Sequence, residues 1–137
     1  MSHTYDEGSV DLRGKRVYIS GPMTGYPSHN VAEFARFHEL LSSIGVADVY
    51  DPALEWYKRL FSAAKDMSHE QWICRTLHQL TCTDMFSGFE EPHYDVILML
   101  DGWEQSDGCT EEFRVAKACG IRVVELRELR HGEEQDQ

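Results

Sequence analysis

At 137 residues, with 42% hydrophobic and 11% aromatic residues, the chain is long enough for one domain with a real core, which excludes global disorder. Its net charge of −11 argues against binding to a nucleic-acid backbone, which needs clustered Lys and Arg, but leaves room for a small anion held on backbone amides. No apolar run approaches the ~20 residues that span a bilayer. The start "MSHTYDEGSVD" lacks the apolar core of a signal peptide, so a cytoplasmic location and no membrane partner are expected.

Residues 1–14 read as a flexible N-terminal segment, 15–129 as the domain, and 130–137 ("HGEEQDQ" and the residue before it) as an acidic, disordered tail. "KRVYIS" (Lys15 to Ser20) is rich in strand formers and stops at the breaker pair Gly21-Pro22. Asn30 and Glu33 fit a capping box, and Phe34, Phe37, Leu41 and Ile44 recur at helical spacing before Gly45 closes the helix. "VADVYD" predicts a second strand ended by Pro52. Ala53 to Leu80 read as two helices broken near Asp66-Met67-Ser68. Tyr57, Leu60, Phe61 and Ala64 share a face of the first, and Ile73, Leu77 and Leu80 a face of the second.

Thr81 to His93 is polar and turn-rich and reads as a surface loop. "YDVILML" (Tyr94 to Leu100) has the continuous apolar character of a strand buried on both faces. A helix from about Cys109 to Cys119, a Gly120 cap and the strand "IRVVEL" complete the chain. Strands and helices alternate, which predicts a single-domain α/β fold: a Rossmann-like (flavodoxin-like) parallel sheet of about four to five strands with helices on both faces. Ligands of such sheets bind beyond the carboxyl ends of the strands. That rule selects the loops "SGPMTGYPSHN", "DPALEW" and "DGWEQSDGCTEE".

"SGPMTG" has neither the GK[ST] ending of a P-loop nor the GxGxxG spacing, so a dinucleotide has no support. Ser20, Gly21 and Gly25 allow close backbone approach to a ligand, or simply form a tight turn. Tyr18, taken alone, reads as a core residue, and Asp101 as a turn former. Trp103 could stack on a base or sugar, or cover the core. Trp56, Trp72 and the scattered His residues read as packing or surface residues. Cys74, Cys82, Cys109 and Cys119 lack CxxC spacing and read as reduced thiols, so no metal site is expected. Glu111 fits helix-start electrostatics; spacing alone does not say whether Glu112 faces the sheet edge or solvent.

Taken together, "VYISGPMTG", "YDVILMLDGW" and "SDGCTEEFRVAKACGIRVVEL", covering roughly Lys15 to Leu126, resemble the nucleoside 2-deoxyribosyltransferase superfamily. Within it the likeness is to the short bacterial and phage domains of the domain-of-unknown-function 4406 branch, and also to nucleoside 5′-monophosphate N-hydrolases. The resemblance implies that Glu112 is a nucleophile toward the anomeric carbon of a (deoxy)ribose and that Tyr18 orients it. It implies a substrate cradle of Ser20, Gly21, Pro22, Met23, Gly25, Asp101, Trp103, Ser106 and Gly108.

Base-exchanging transferases carry an aspartate at the position of Ser106. A hydroxyl there suits a 5′-phosphate, which an aspartate would repel. The implied activity is hydrolysis of the base–sugar bond of a (deoxy)nucleoside 5′-monophosphate, in a homodimer or higher homo-oligomer, with no metal or organic cofactor. The alternatives are a deoxyribosyltransferase and a nucleotide-binding or sensing module. The family acid on the helix before the central strand is replaced by Thr76, for which His78 or Asp84 could substitute. A role in phage nucleotide metabolism is an association of the same resemblance.

Overall fold

The computed structural model describes residues 10–62, 66–86 and 88–129. Four parallel strands form the sheet: β1 (Arg16–Ser20), β2 (Asp48–Tyr50), β5 (Val96–Met99) and β6 (Arg122–Glu125), in the order β2-β1-β5-β6. Tyr18 pairs with Tyr50 on one side and Ile97 on the other, and Leu98 pairs with Val124. The helices are α1 (Val31–Ser43), α2 (Pro52–Arg59), α3 (His69–Leu80) and α4 (Asp107–Ala118).

Alternation along the strands divides the core in two. Val17, Ile19, Val96, Leu98 and Val124 face Phe34, Phe37 and Leu41 of α1, while Tyr18, Ile97 and Met99 face Leu80 of α3 and Ala116 of α4. Helices therefore cover both faces, as the alternation of elements predicts. Val10 and Leu12 are buried against the α1 side, so packing extends to at least five residues before the expected start at Lys15. The rest of the expected flexible segment and the acidic tail lie outside the described residues. Among the described residues no helix is long and apolar enough to cross a membrane.

Three local expectations are corrected. Thr81 to His93 is not a loop: β3 (Thr83–Phe86) and β4 (Phe89–Pro92) form an antiparallel hairpin. Asn30 does not build a capping box. Ser28, His29 and Asn30 all have positive φ, and the Asn30 amide turns back to donate to the Pro22 carbonyl at 2.9 Å. The capping box sits at α3, where the Ser68 hydroxyl accepts from Gln71 N–H and the Gln71 side chain accepts from Ser68 N–H. The first of the two middle helices ends at Arg59, and Tyr57, Leu60 and Phe61 lie exposed, not on a buried face; Ala64 lies outside the described residues.

The hairpin is fastened at the amino end of the sheet. Arg16 bonds Asp84 at 2.8 Å and Asp95 at 3.3 Å, and the two ring nitrogens of His93 meet Asp84 and Asp48, both at 2.9 Å. The opposite, carboxyl end is the one at which ligands of such sheets bind. From β1 the chain crosses to β2 on one side, and from β5 to β6 on the other. The crevice between β1 and β5 is thus the switch point of the sheet.

Candidate active site

Period-two alternation places Tyr18 and Ser20 on the same face of β1, with Ser20 as its last residue. That face meets α4, whose buried stripe is Cys109, Glu112 and Ala116. Glu112 is 6% exposed, and Tyr18 and Ser20 are fully buried. The Ser20 hydroxyl donates to Glu112 Oε1 at 2.6 Å, and the Tyr18 hydroxyl donates to Glu112 Oε2. Each carboxylate oxygen thus receives one O–H. Glu111, one residue earlier, is exposed and paired with Arg114 on its own helix.

Burial pushes the Glu112 carboxyl above the usual carboxylate range, and the hydrogen bonds from Ser20 and Tyr18, with the nearby Thr76 hydroxyl, oppose that rise. Burial, and then the Glu112 charge, hold the Tyr18 phenol well above its ordinary value, so it stays a neutral donor. Tyr18 is braced by aromatic contacts, stacked on Tyr50 (centroids 4.9 Å apart) and edge-on to Tyr94 (5.6 Å). Burial likewise raises the Cys109 thiol to about 11, which leaves it unreactive at neutral pH.

Glu112 opens onto an inner chamber of about 60 Å³, walled also by Gly21, Ile73, Thr76, Gly108 and Cys109. Met23, Thr24, His69, Trp72 and Ser106 line this chamber and also an outer one of about 600 Å³. His29, Trp56, Arg59, Met67, Gln105 and Asp107 also line the outer chamber. Its size is that of a pocket for a small organic ligand.

The sequence-derived set divides accordingly. Tyr18, Ser20 and Glu112 form one hydrogen-bonded cluster, and Gly21, Met23, Ser106 and Gly108 line the chamber beside it. Ser106 caps α4, its hydroxyl oxygen accepting from Cys109 N–H at 3.3 Å, which leaves its proton unneeded by the cap. Gly21 is required by packing, since a Cβ there would come within 2.9 Å of Leu100. At Gly108 a Cβ would meet only Ser106 Oγ, at 4.0 Å, so that space is open.

Pro22, Gly25, Asp101 and Trp103 line neither chamber. Trp103 instead stacks on Phe113 (centroids 4.8 Å apart) and covers the core. The proposed stand-ins for an acid at Thr76 are also elsewhere: His78 is exposed outside the chambers, and Asp84 is held by Arg16 and His93 at the far end of the sheet. Thr76 itself is buried in the inner wall and donates to the Ile73 carbonyl at 3.2 Å.

Sequence reasoning missed His29, Trp56, Arg59, His69, Trp72 and Asp107. The strand-end rule selected the loops that hold His29, Trp56 and Asp107 without singling these residues out, and gave no signal for Arg59, His69 or Trp72. Among the described residues no group of three or more His, Cys, Asp or Glu is arranged to hold a metal ion.

Comparison with known proteins supports one part of the resemblance, the domain-of-unknown-function 4406 branch. No curated protein and no solved structure is significantly similar to the chain. A family model does match, over residues 15–125, the strand–helix framework that carries Tyr18, Ser20, Ser106 and Glu112. The chain belongs to the family described as Domain of unknown function (DUF4406).

Proposed function

We propose that the protein is an N-glycosidase that cleaves the base–sugar bond of a (deoxy)nucleoside 5′-monophosphate. The observation that carries this reading is the buried Glu112 carboxylate, held by two hydroxyl donors at the wall of a small inner chamber that shares Met23, Thr24, His69, Trp72 and Ser106 with the ligand-sized outer one. A carboxylate so fixed loses little freedom on attack, and Glu112 lines the inner chamber.

One Glu112 oxygen attacks the anomeric carbon, the C–N bond breaks, and its electron pair leaves with the base. The base takes a proton from solvent or from His69, an imidazole on the wall of both chambers. Water then attacks the anomeric carbon and breaks the glycosyl ester; its surplus proton returns to His69 or solvent, giving a sugar phosphate and restoring the carboxylate. Ser106 meets the phosphate with its hydroxyl proton. Relatives by resemblance act as homodimers, and the same is proposed here.

A second reading rests on Asp107, which follows Ser106 and lines the outer chamber. A carboxylate at that place disfavours a dianion and favours a free 5′-hydroxyl, and so an unphosphorylated nucleoside, hydrolysed or exchanged with another base. A third, a nucleotide-binding module without turnover, rests on Thr76 in place of the family acid. Incubation of the protein with nucleosides and their 5′-monophosphates, with and without an acceptor base, separates the three. Free base from monophosphates without acceptor is expected. Base exchange, or release from nucleosides alone, supports the second reading, and binding without release supports the third.

A further inference from the structure

We infer that the outer chamber is a nucleobase subsite in which Trp56 is the stacking platform, and that His29 covers its face in the empty site as a removable stand-in for the base. The inference rests on the glycosidase reading for the location of the sugar over Glu112, and it adds where the base goes.

The His29 ring lies on Trp56 with centroids 4.1 Å apart and 29° between planes, a stacked pair with no room for a third ring between. Both residues line the outer chamber. A flat imidazole on a flat indole is the same contact that a nucleobase would make. Every base offers such a face, whatever its hydrogen-bonding edge.

The backbone that delivers His29 is unusual. Ser28, His29 and Asn30 have φ of 47°, 52° and 67°, three consecutive residues with side chains in the left-handed region. Non-glycine residues visit it singly and at a cost, so a run of three is held by what surrounds it. Backbone bonds hold it, His29 N–H on the Tyr26 carbonyl at 3.0 Å and Val31 N–H on the Ser28 carbonyl, together with the Asn30 amide on the Pro22 carbonyl and the His29–Trp56 stack. When a base takes the indole face, the stack is released and the His29 side chain swings off the indole. Trp72, on the wall shared by the two chambers, then borders the base where it joins the sugar.

The test is calorimetric titration of the full chain with 5′-AMP and with ribose 5-phosphate, which lacks the base. Trp56→Ala is expected to weaken 5′-AMP about 10- to 100-fold, in line with the loss of one base–aromatic stack, and to leave ribose 5-phosphate unchanged. His29→Ala is expected to bind 5′-AMP as well as the parent or more tightly. Should Trp56→Ala fail to fold, Trp56→Phe and Trp56→Leu make the same comparison, the flat ring retaining affinity and the aliphatic side chain losing it.

Equal weakening of both probes by the Trp56 variants, or no weakening of either, overturns the platform. Loss of 5′-AMP binding in His29→Ala overturns the stand-in role. In each case the parent protein still binds 5′-AMP and the glycosidase reading survives. If the parent protein binds neither probe, both fall.

Discussion

Tyr18→Phe removes one hydroxyl and nothing else, because the ring keeps its stack on Tyr50 and its edge contact with Tyr94. What is lost is an O–H donated to a buried carboxylate. A hydrogen bond to a charged group contributes roughly 1.5–3 kcal/mol, against about 1 kcal/mol for a neutral pair. The variant is therefore expected to lose about 2–3 kcal/mol where Glu112 is ionised, and only about 1 kcal/mol where it is protonated. At about 3–4 °C per kcal/mol for a chain of this size, the melting temperature falls by roughly 6–12 °C at neutral pH and by about 3–4 °C in acid.

The direction follows from the linkage. Glu112 already has a folded-state pKa above its unfolded value, so its ionised form costs stability above the folded pKa, and that cost vanishes below the unfolded one. Losing the Tyr18 donor raises the folded pKa further, so the gap between variant and parent opens as pH rises from the parent's folded pKa to the variant's higher one. Thermal unfolding followed by circular dichroism at a series of pH values measures it. A gap of constant size from acid to neutral pH would refute the claim that Tyr18 supports an ionised Glu112.

Further consequences concern neighbouring groups. Glu112→Gln is expected to raise stability by about 0.5–2 kcal/mol at neutral pH, as substitutions that relieve a strained functional site do, with the gain disappearing on acidification. The Tyr18 hydroxyl can turn to the Thr76 carbonyl, 3.2 Å away, so no donor is stranded. Urea unfolding at two pH values checks it. Gly108→Ala is expected to stabilise the fold by about 0.4–1 kcal/mol and yet weaken substrate binding, because the added methyl enters open space in the inner chamber; unfolding and titration of one variant give both readings.

At the far end of the sheet, both nitrogens of His93 face carboxylates, so the imidazolium is the form that satisfies them, and the bond to Asp48 leads in raising its pKa. A raised His pKa gives stability that is full below the unfolded value near 6.5 and is lost as pH rises through the folded value. His93→Gln should therefore be less stable than the parent in mild acid, by less than about 1 kcal/mol given the partial exposure of the pair, and equal to it in alkali.

The sheet was legible because its strands advertise themselves: "VYIS" and "VILM" are buried on both faces, and their helices carry apolar stripes. The hairpin was not, because it hides no face. Met85 and Phe89 are 67% and 74% exposed, so no alternation marks the strands, and only Ser87-Gly88 hinted at a turn. Glu112 and Tyr18 were found through motif resemblance, since spacing alone does not orient a residue in mid-helix. Trp56, Trp72 and His69 were passed over for a physical reason. An aromatic residue on a helix has the same pattern whether it meets core or cavity, and only the convergence of α2, α3 and α4 makes the chamber. The left-handed run at Ser28–Asn30 likewise has no glycine to announce it.

The central claim is that Glu112 attacks the sugar. It is tested most directly by the rate at which free base appears from a panel of (deoxy)nucleoside 5′-monophosphates with the parent protein and with Glu112→Ala. The account predicts release by the parent and a fall of about a thousandfold or more in the variant, the loss expected when a covalent nucleophile is removed. Base release by Glu112→Ala at the parental rate would contradict it.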